Sequence, residues 1–282
     1  MKPIYQKMLR PVWRTLFASE GKLEQFQKIS GDAFVVIGFQ RNGTSLVSNL
    51  VSQCGVYFGR DQELKAGDAR NHNGFFEHNQ MFALNRKLMR EAGQYNRNDL
   101  YNDAGILRAD TFFHQVSRAF TRRSMIKLLL HLGHSQKRFG FKSLPIFFYF
   151  WKHYMPKNTK VIGVYRHPLV GAQSIMRSWG AGAATFTSLL EHWTASNKNL
   201  LYHLATHESM LIAYDDLVNP SAQDKVLTKL VAFIGAGDIT TLKNLIKPEF
   251  NRSSKEFEAL ATMYPLEKET EIVYEKLESL KI

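Results

Sequence analysis

Apolar residues along the chain fall into two alternating patterns. Short runs rich in β-branched and aromatic residues lie near 33–38, 139–143, 160–165 and 209–214, and they read as strands. Longer stretches with apolar residues three and four apart lie near 43–54, 77–92, 109–133, 145–154, 168–178, 184–206, 220–234 and 266–280, and they read as helices. Leu46, Val47, Leu50, Val51 and Cys54 draw such a stripe along the first of them. Strands that alternate with helices predict an α/β fold, a parallel sheet flanked by helices in three layers. The expected organisation is one α/β domain over 31–282, preceded by a basic amphipathic segment over 1–30. Asn96–Asp99 and Ala181–Ala183 read as loops, the second either a small-residue turn or a flap.

The most telling junction is the first strand with the first helix. Ala33–Ile37 runs into Gly38-Phe39-Gln40-Arg41-Asn42-Gly43-Thr44-Ser45 and then Leu46. A strand, a glycine-bounded basic turn and a helix start make an anion cradle. Helix-terminal N–H groups point at the ligand, the helix dipole adds positive potential, and glycine lets the backbone come close. The spacing is P-loop-like, near G-x-x-x-x-G-K-S/T, with Gly38, Gly43 and Ser45 in place. Thr44 stands where that motif has lysine, and the cation is Arg41, inside the turn. A second junction repeats the device. The strand pattern Val161–Tyr165 delivers Arg166-His167-Pro168, with proline suited to the first helical position and Ser174 eight residues after Arg166. Ligands of open α/β sheets bind beyond the carboxyl ends of the strands, so two such turns can hold two anionic groups of one ligand.

Together, Arg41–Ser45 and Arg166 with Ser174 resemble the sulfotransferases that use 3′-phosphoadenosine 5′-phosphosulfate (PAPS). Further segments resemble that family in its order. They are Asn73-Gly74-Phe75-Phe76-Glu77 followed by Asn85, Phe141-Lys142-Ser143-Leu144-Pro145 before Trp151, Ala213-Tyr214-Asp215-Asp216-Leu217 with Pro220, and Phe250-Asn251-Arg252-Ser253. The resemblance spans about 33–255. It implies that Arg41, Asn42, Gly43, Thr44, Ser45 and Leu46 meet the 5′-phosphosulfate, while Arg166 and Ser174 hold the 3′-phosphate and Arg252 closes the same site. It implies PAPS as co-substrate, no metal, and an acceptor hydroxyl or amine, on a carbohydrate or lipid-linked molecule. Ser143-Leu144-Pro145 and Asn71-His72-Asn73 depart from the family's usual residues where acceptor contacts are expected.

Sulfuryl transfer asks the protein to align the acceptor, stabilise the leaving phosphate and accept a proton. Glu77, flanked by Phe75 and Phe76, is the first choice for general base, with His78 and His72 as alternatives and Lys142 as a group facing the sulfuryl oxygens. Glu77 can equally begin the following helix, where an acid favours the dipole. Asp215 and Asp216 are expected to cap the helix after their strand. Phe147, Phe148, Tyr149 and Trp151 stack on an acceptor ring or fill the core, the commoner fate of an aromatic run.

Composition narrows the alternatives. The formal charge of +12 suits nucleic acid or anionic small molecules, but no nucleic-acid-binding motif is present, so none is expected as a partner. Cys54 is the only cysteine and reads as a small buried hydrophobe. No apolar run reaches the roughly 18 residues of a membrane span, and no secretory leader is expected, since the first residues alternate basic and apolar without a hydrophobic segment. A cytoplasmic protein is expected. Lys2, Lys7, Arg10, Arg14 and Lys22 among Ile4, Tyr5, Met8, Leu9, Trp13, Leu16 and Phe17 could rest on the inner membrane surface or pack on the domain, with Pro11 interrupting a single helix. A kinase-like P-loop phosphotransferase and an inactive nucleotide-binding scaffold are the competing readings. Thr44 opposes the first, and the Ser143–Pro145 departure favours the second.

Overall fold

The computed structural model describes residues 21–24, 26–27, 32–68, 74–91, 119–134, 138–179, 185–247 and 257–282. Four parallel strands form its sheet, β1 (Asp32–Gly38), β2 (Arg138–Ser143), β3 (Lys160–Tyr165) and β4 (Glu208–Ala213), in the order β2-β1-β3-β4. The described helices are α1 (Thr44–Gln53), α2 (Asn79–Glu91), α3 (Ala119–His134), α4 (Pro145–Trp151), α5 (Pro168–Trp179), α6 (Phe186–Thr206), α7 (Tyr214–Val218), α8 (Pro220–Ile234), α9 (Ile239–Leu245), α10 (Phe257–Met263) and α11 (Lys268–Leu280).

Successive strand residues face opposite sides of the sheet, and in β1 both sides are buried. Ala33, Val35 and Ile37 join a core with residues of α3 to α6, including Trp151 and Trp193. Phe34 and Val36 join a second core with Val47, Leu50 and Val51 of α1 and Val226, Leu227 and Leu230 of α8. The result is the expected three-layer α/β arrangement. Cys54 belongs to that second core, and burial pushes its thiol up to about 11, as suits a buried hydrophobe.

The strand order creates the functional location. From β1 the chain crosses to β2 on one side, then to β3 on the other, so the connections diverge between β1 and β3. Gly38 pairs with Val164 there, which sets the turn after β1 beside Arg166. Such a switch point opens a crevice at the carboxyl ends of the strands.

Several expectations shift at element ends. The fourth strand stops at Ala213, and Tyr214, read as strand, opens the short α7. The predicted helix 109–133 is described from Ala119, and α7, α9 and α10 had no counterpart in the sequence reading. The aromatic run of α4 is core: Phe147, Phe148, Tyr149 and Trp151 are all buried. Most of 1–30 lies outside the described residues, as do Asn96–Asp99 and Ala181–Ala183. Leu23 and Phe26 are buried, and Phe26 packs at 5.6 Å from the Phe139 ring, so that end of the N-terminal segment is docked. No described helix is long and apolar enough to cross a membrane.

Candidate active site

Glycine shapes the turn after β1 at two places. A Cβ on Gly38 would come within 2.2 Å of the Val164 carbonyl oxygen, so only glycine permits that strand approach. Gly43 has φ +89°, and a Cβ there would lie 1.9 Å from the Tyr214 ring. Arg41 is itself left-handed at φ 63°, an unfavourable conformation for an arginine that the turn imposes. Helix α1 then begins at Thr44 with no side-chain cap on its first amides. Four N–H groups of the first turn therefore lack helical partners, and the positive end of the dipole opens onto the crevice.

Lys142, near the end of β2, reaches across this helix start. Its Nζ donates to Ser45 Oγ at 3.0 Å and to the Phe75 carbonyl at 2.8 Å, and pairs with Glu77 Oε1 at 3.2 Å. These contacts use all three ammonium donors. Burial pushes the Lys142 ammonium down, Glu77 opposes that shift, and Lys65 and Arg41 add to it. Glu77 is held in place by its backbone. Its carbonyl accepts from Lys65 N at 2.8 Å, Phe75 N donates to the Lys65 carbonyl at 3.3 Å, and Phe76 turns the chain at φ 53°. Lys65 Nζ lies 3.8 Å from the other Glu77 oxygen and 4.3 Å from the Phe75 ring centroid. The carboxylate thus sits between two lysines, one buried and one half-buried.

Arg166 forms the second cationic centre. It is only 8 % exposed, with Nε donating to Asp215 Oδ1 at 3.1 Å and its guanidinium 4.7 Å from the Tyr214 ring centroid. Trp193 Nε1 donates to its carbonyl at 3.1 Å. Nη2 has no hydrogen-bond partner among the described residues. Tyr214 lies between the Arg166 guanidinium and Gly43, so one ring couples the two basic turns.

The structure therefore brings Ser45, Glu77 and Lys142 together at one end of the crevice. Arg41 meets Ser174, Nε to Oγ at 3.5 Å, at the start of the first turn. Asn42 is fully buried in that turn, with neither amide atom paired among the described residues. Thr44 is buried beside Gly38, and Leu46 packs on the second core. His78 is not brought to the Lys142 cluster. It is buried, its Nδ1 accepts from Gln80 N at 3.3 Å, and its ring lies against Gly59 and Glu63. His72 and Arg252 lie outside the described residues. Asp215 and Asp216 are not helix caps: α7 has Ala213 at its N-cap, Asp215 pairs with Arg166, and Asp216 pairs with Lys281 at 3.1 Å. Asn85 accepts the Trp151 indole N–H at 2.7 Å, which gives it a core role.

The sequence profile of the sulfotransferase family matches residues 33–238, which takes in both basic turns and the four strands. The chain belongs to this family. No protein of curated function matches the sequence. Among solved structures, the sulfotransferase domain of the Synechococcus PCC 7002 olefin synthase is similar, with a TM-score of 0.53 at 17 % identity over 88 % of this chain and 95 % of that one. The sulfotransferase domain from the curacin biosynthetic pathway gives 0.49 at 18 % identity over 89 % and 98 %. At 17 % identity, the likeness to the olefin synthase domain is one of fold. Membership in the sulfotransferase family gives the chain a general reaction, sulfuryl transfer.

Sequence reasoning passed over Lys65, Tyr214 and Trp193 as parts of this site. Lys65 belongs to no motif. Tyr214 and Asp215 directly follow a strand, at the carboxyl edge where ligands bind, and that position was the available signal.

Proposed function

We propose that this chain transfers a sulfuryl group from PAPS to an acceptor hydroxyl or amine by in-line displacement. The observation that carries the proposal is the convergence of Lys142 on Ser45 of the anion turn and on Glu77. A cation, a helix start and a carboxylate then share one reaction centre. The residues fit the donor: the first turn of α1 has uncapped amides for an anionic group, and Arg166 carries an unpartnered Nη2. When bound, PAPS supplies an activated sulfuryl group on a phosphate leaving group.

The chain's own groups do the rest. Arg41, Ser45 and the α1 amides bind the 5′ end and neutralise charge there. Arg166 and Ser174 hold the 3′-phosphate, and the planar fork of Arg166 is oriented by Asp215 and stacked on Tyr214. Lys142 exchanges one of its three protein contacts for a donor oxygen. Glu77 takes the acceptor proton, its carboxylate aimed by Lys65 and Lys142. The Lys65 ammonium over the Phe75 and Phe82 rings makes a cationic, aromatic flank beside Glu77 that suits an anionic glycan or glycolipid.

Calorimetry tests the donor. Adenosine 3′,5′-bisphosphate, the expected product, should bind at micromolar concentration, much more tightly than adenosine 5′-phosphate or ATP, and Arg166→Ala should abolish the preference. Tighter binding of ATP with Mg²⁺-dependent turnover would turn the reading to phosphoryl transfer.

A further inference from the structure

The family profile ends at residue 238, yet residues beyond it grip the Arg166 turn from three directions. Tyr165, directly before Arg166, donates its hydroxyl to Glu278 Oε1 at 2.6 Å. His167, directly after it, is enclosed edge-to-face by Phe257 at 4.6 Å and Tyr274 at 4.7 Å, while its Nδ1 accepts from Leu169 N. Asp216, next to the Asp215 that orients Arg166, pairs with Lys281. Lys281 also pairs with Glu278 at 2.8 Å, so one lysine and one glutamate at the end of α11 join the tip of β3 to the first turn of α7. The backbone repeats the link: Ile282 N donates to the Leu211 carbonyl of β4 at 3.2 Å.

We infer that Glu278 and Lys281 are positioning residues for Arg166, clamping the two elements between which its guanidinium must be held to recognise a phosphate. Arg166 follows β3, and its carboxylate partner Asp215 lies in α7. A guanidinium bridging two elements keeps its aim only while the elements keep their spacing. Tyr165 and Asp216 flank the bridge by one residue each, and both are tied to the same Lys281–Glu278 pair. The inference rests on the reading of Arg166 as the ligand of the 3′-phosphate.

The test uses the full chain with Lys281→Met, Glu278→Gln and the conservative Lys281→Arg. Affinity is measured by calorimetry for adenosine 3′,5′-bisphosphate and for adenosine 5′-phosphate, with the thermal midpoint recorded alongside. Loss of the clamp lowers affinity for the bisphosphate roughly tenfold, leaves that for the monophosphate unchanged, and is reversed in Lys281→Arg. Equal losses for both nucleotides, or a lower midpoint with the preference intact, would overturn the inference and leave α11 a structural helix. A wild-type protein without preference for the 3′-phosphate would overturn the donor reading, and the clamp with it.

Discussion

Lys142 is the residue on which the proposed reaction centre converges. Its ammonium is buried, and its pKa is pushed down by that burial and by neighbouring cations, with Glu77 the main opposing influence. Lys142→Met removes one partner of this ion pair and leaves Glu77 with the Lys65 ammonium alone among the described residues, so it costs the fold some stability as well as a donor. The variant should lower kcat by about 10²- to 10³-fold, the usual loss of one preorganised donor, with KM for the donor nearly unchanged and the thermal midpoint lowered. Steady-state kinetics at saturating donor would show it, and wild-type turnover would remove Lys142 from the mechanism. Lys142, Glu77 and Arg41 stood out in the sequence because each lies beside a strand end or an unusual glycine–aromatic turn. Lys65 could not be singled out: it reaches Glu77 through a backbone pairing of residues 64–65 with 75–78, which leaves no periodic trace.

Among the elements, the turn between β1 and α1 is the most constrained. Gly43→Ala must hold φ +89° with a Cβ driven into the Tyr214 ring. We expect a stability loss of about 1–3 kcal/mol and loss of nucleotide binding, since Tyr214 is displaced from beneath Arg166. Urea denaturation with a binding isotherm checks both, and retained affinity would show that the ring has room to move. The strands and long helices were legible because period 2 and period 3.6 are strong over their lengths. The short α7 was not: in the sequence Tyr214 continues the apolar run of β4, yet the strand ends at Ala213 and the chain turns into helix at Tyr214.

Across the whole molecule, buried histidines make acid a threat to the fold. His203 is fully buried, its Nε2 3.0 Å from the Pro145 carbonyl, and burial pushes it down to about 3. His167, packed between rings, is pushed down to about 4. With folded pKa values below the unfolded 6.5, the unfolded chain binds the extra protons. Stability is full above pH 6.5 and is lost as pH falls toward 4 and then 3. His203 alone should account for about 2 kcal/mol by pH 5. His203→Gln, which keeps a donor for Pro145, should shrink the fall in urea midpoint between pH 7.5 and 5, and an unchanged fall would exonerate this ring. The sheet order carries a different consequence, one of timing. Strand β1 pairs on one side with residues 138–143 and on the other with 160–164, so its first partner lies about a hundred residues downstream. At ribosomal speeds of about 5–20 residues per second, Phe34–Ile37 waits roughly 5–20 s for a neighbouring strand. During synthesis this apolar tetrapeptide, later the centre of the sheet, is the stretch most in need of a chaperone's shelter.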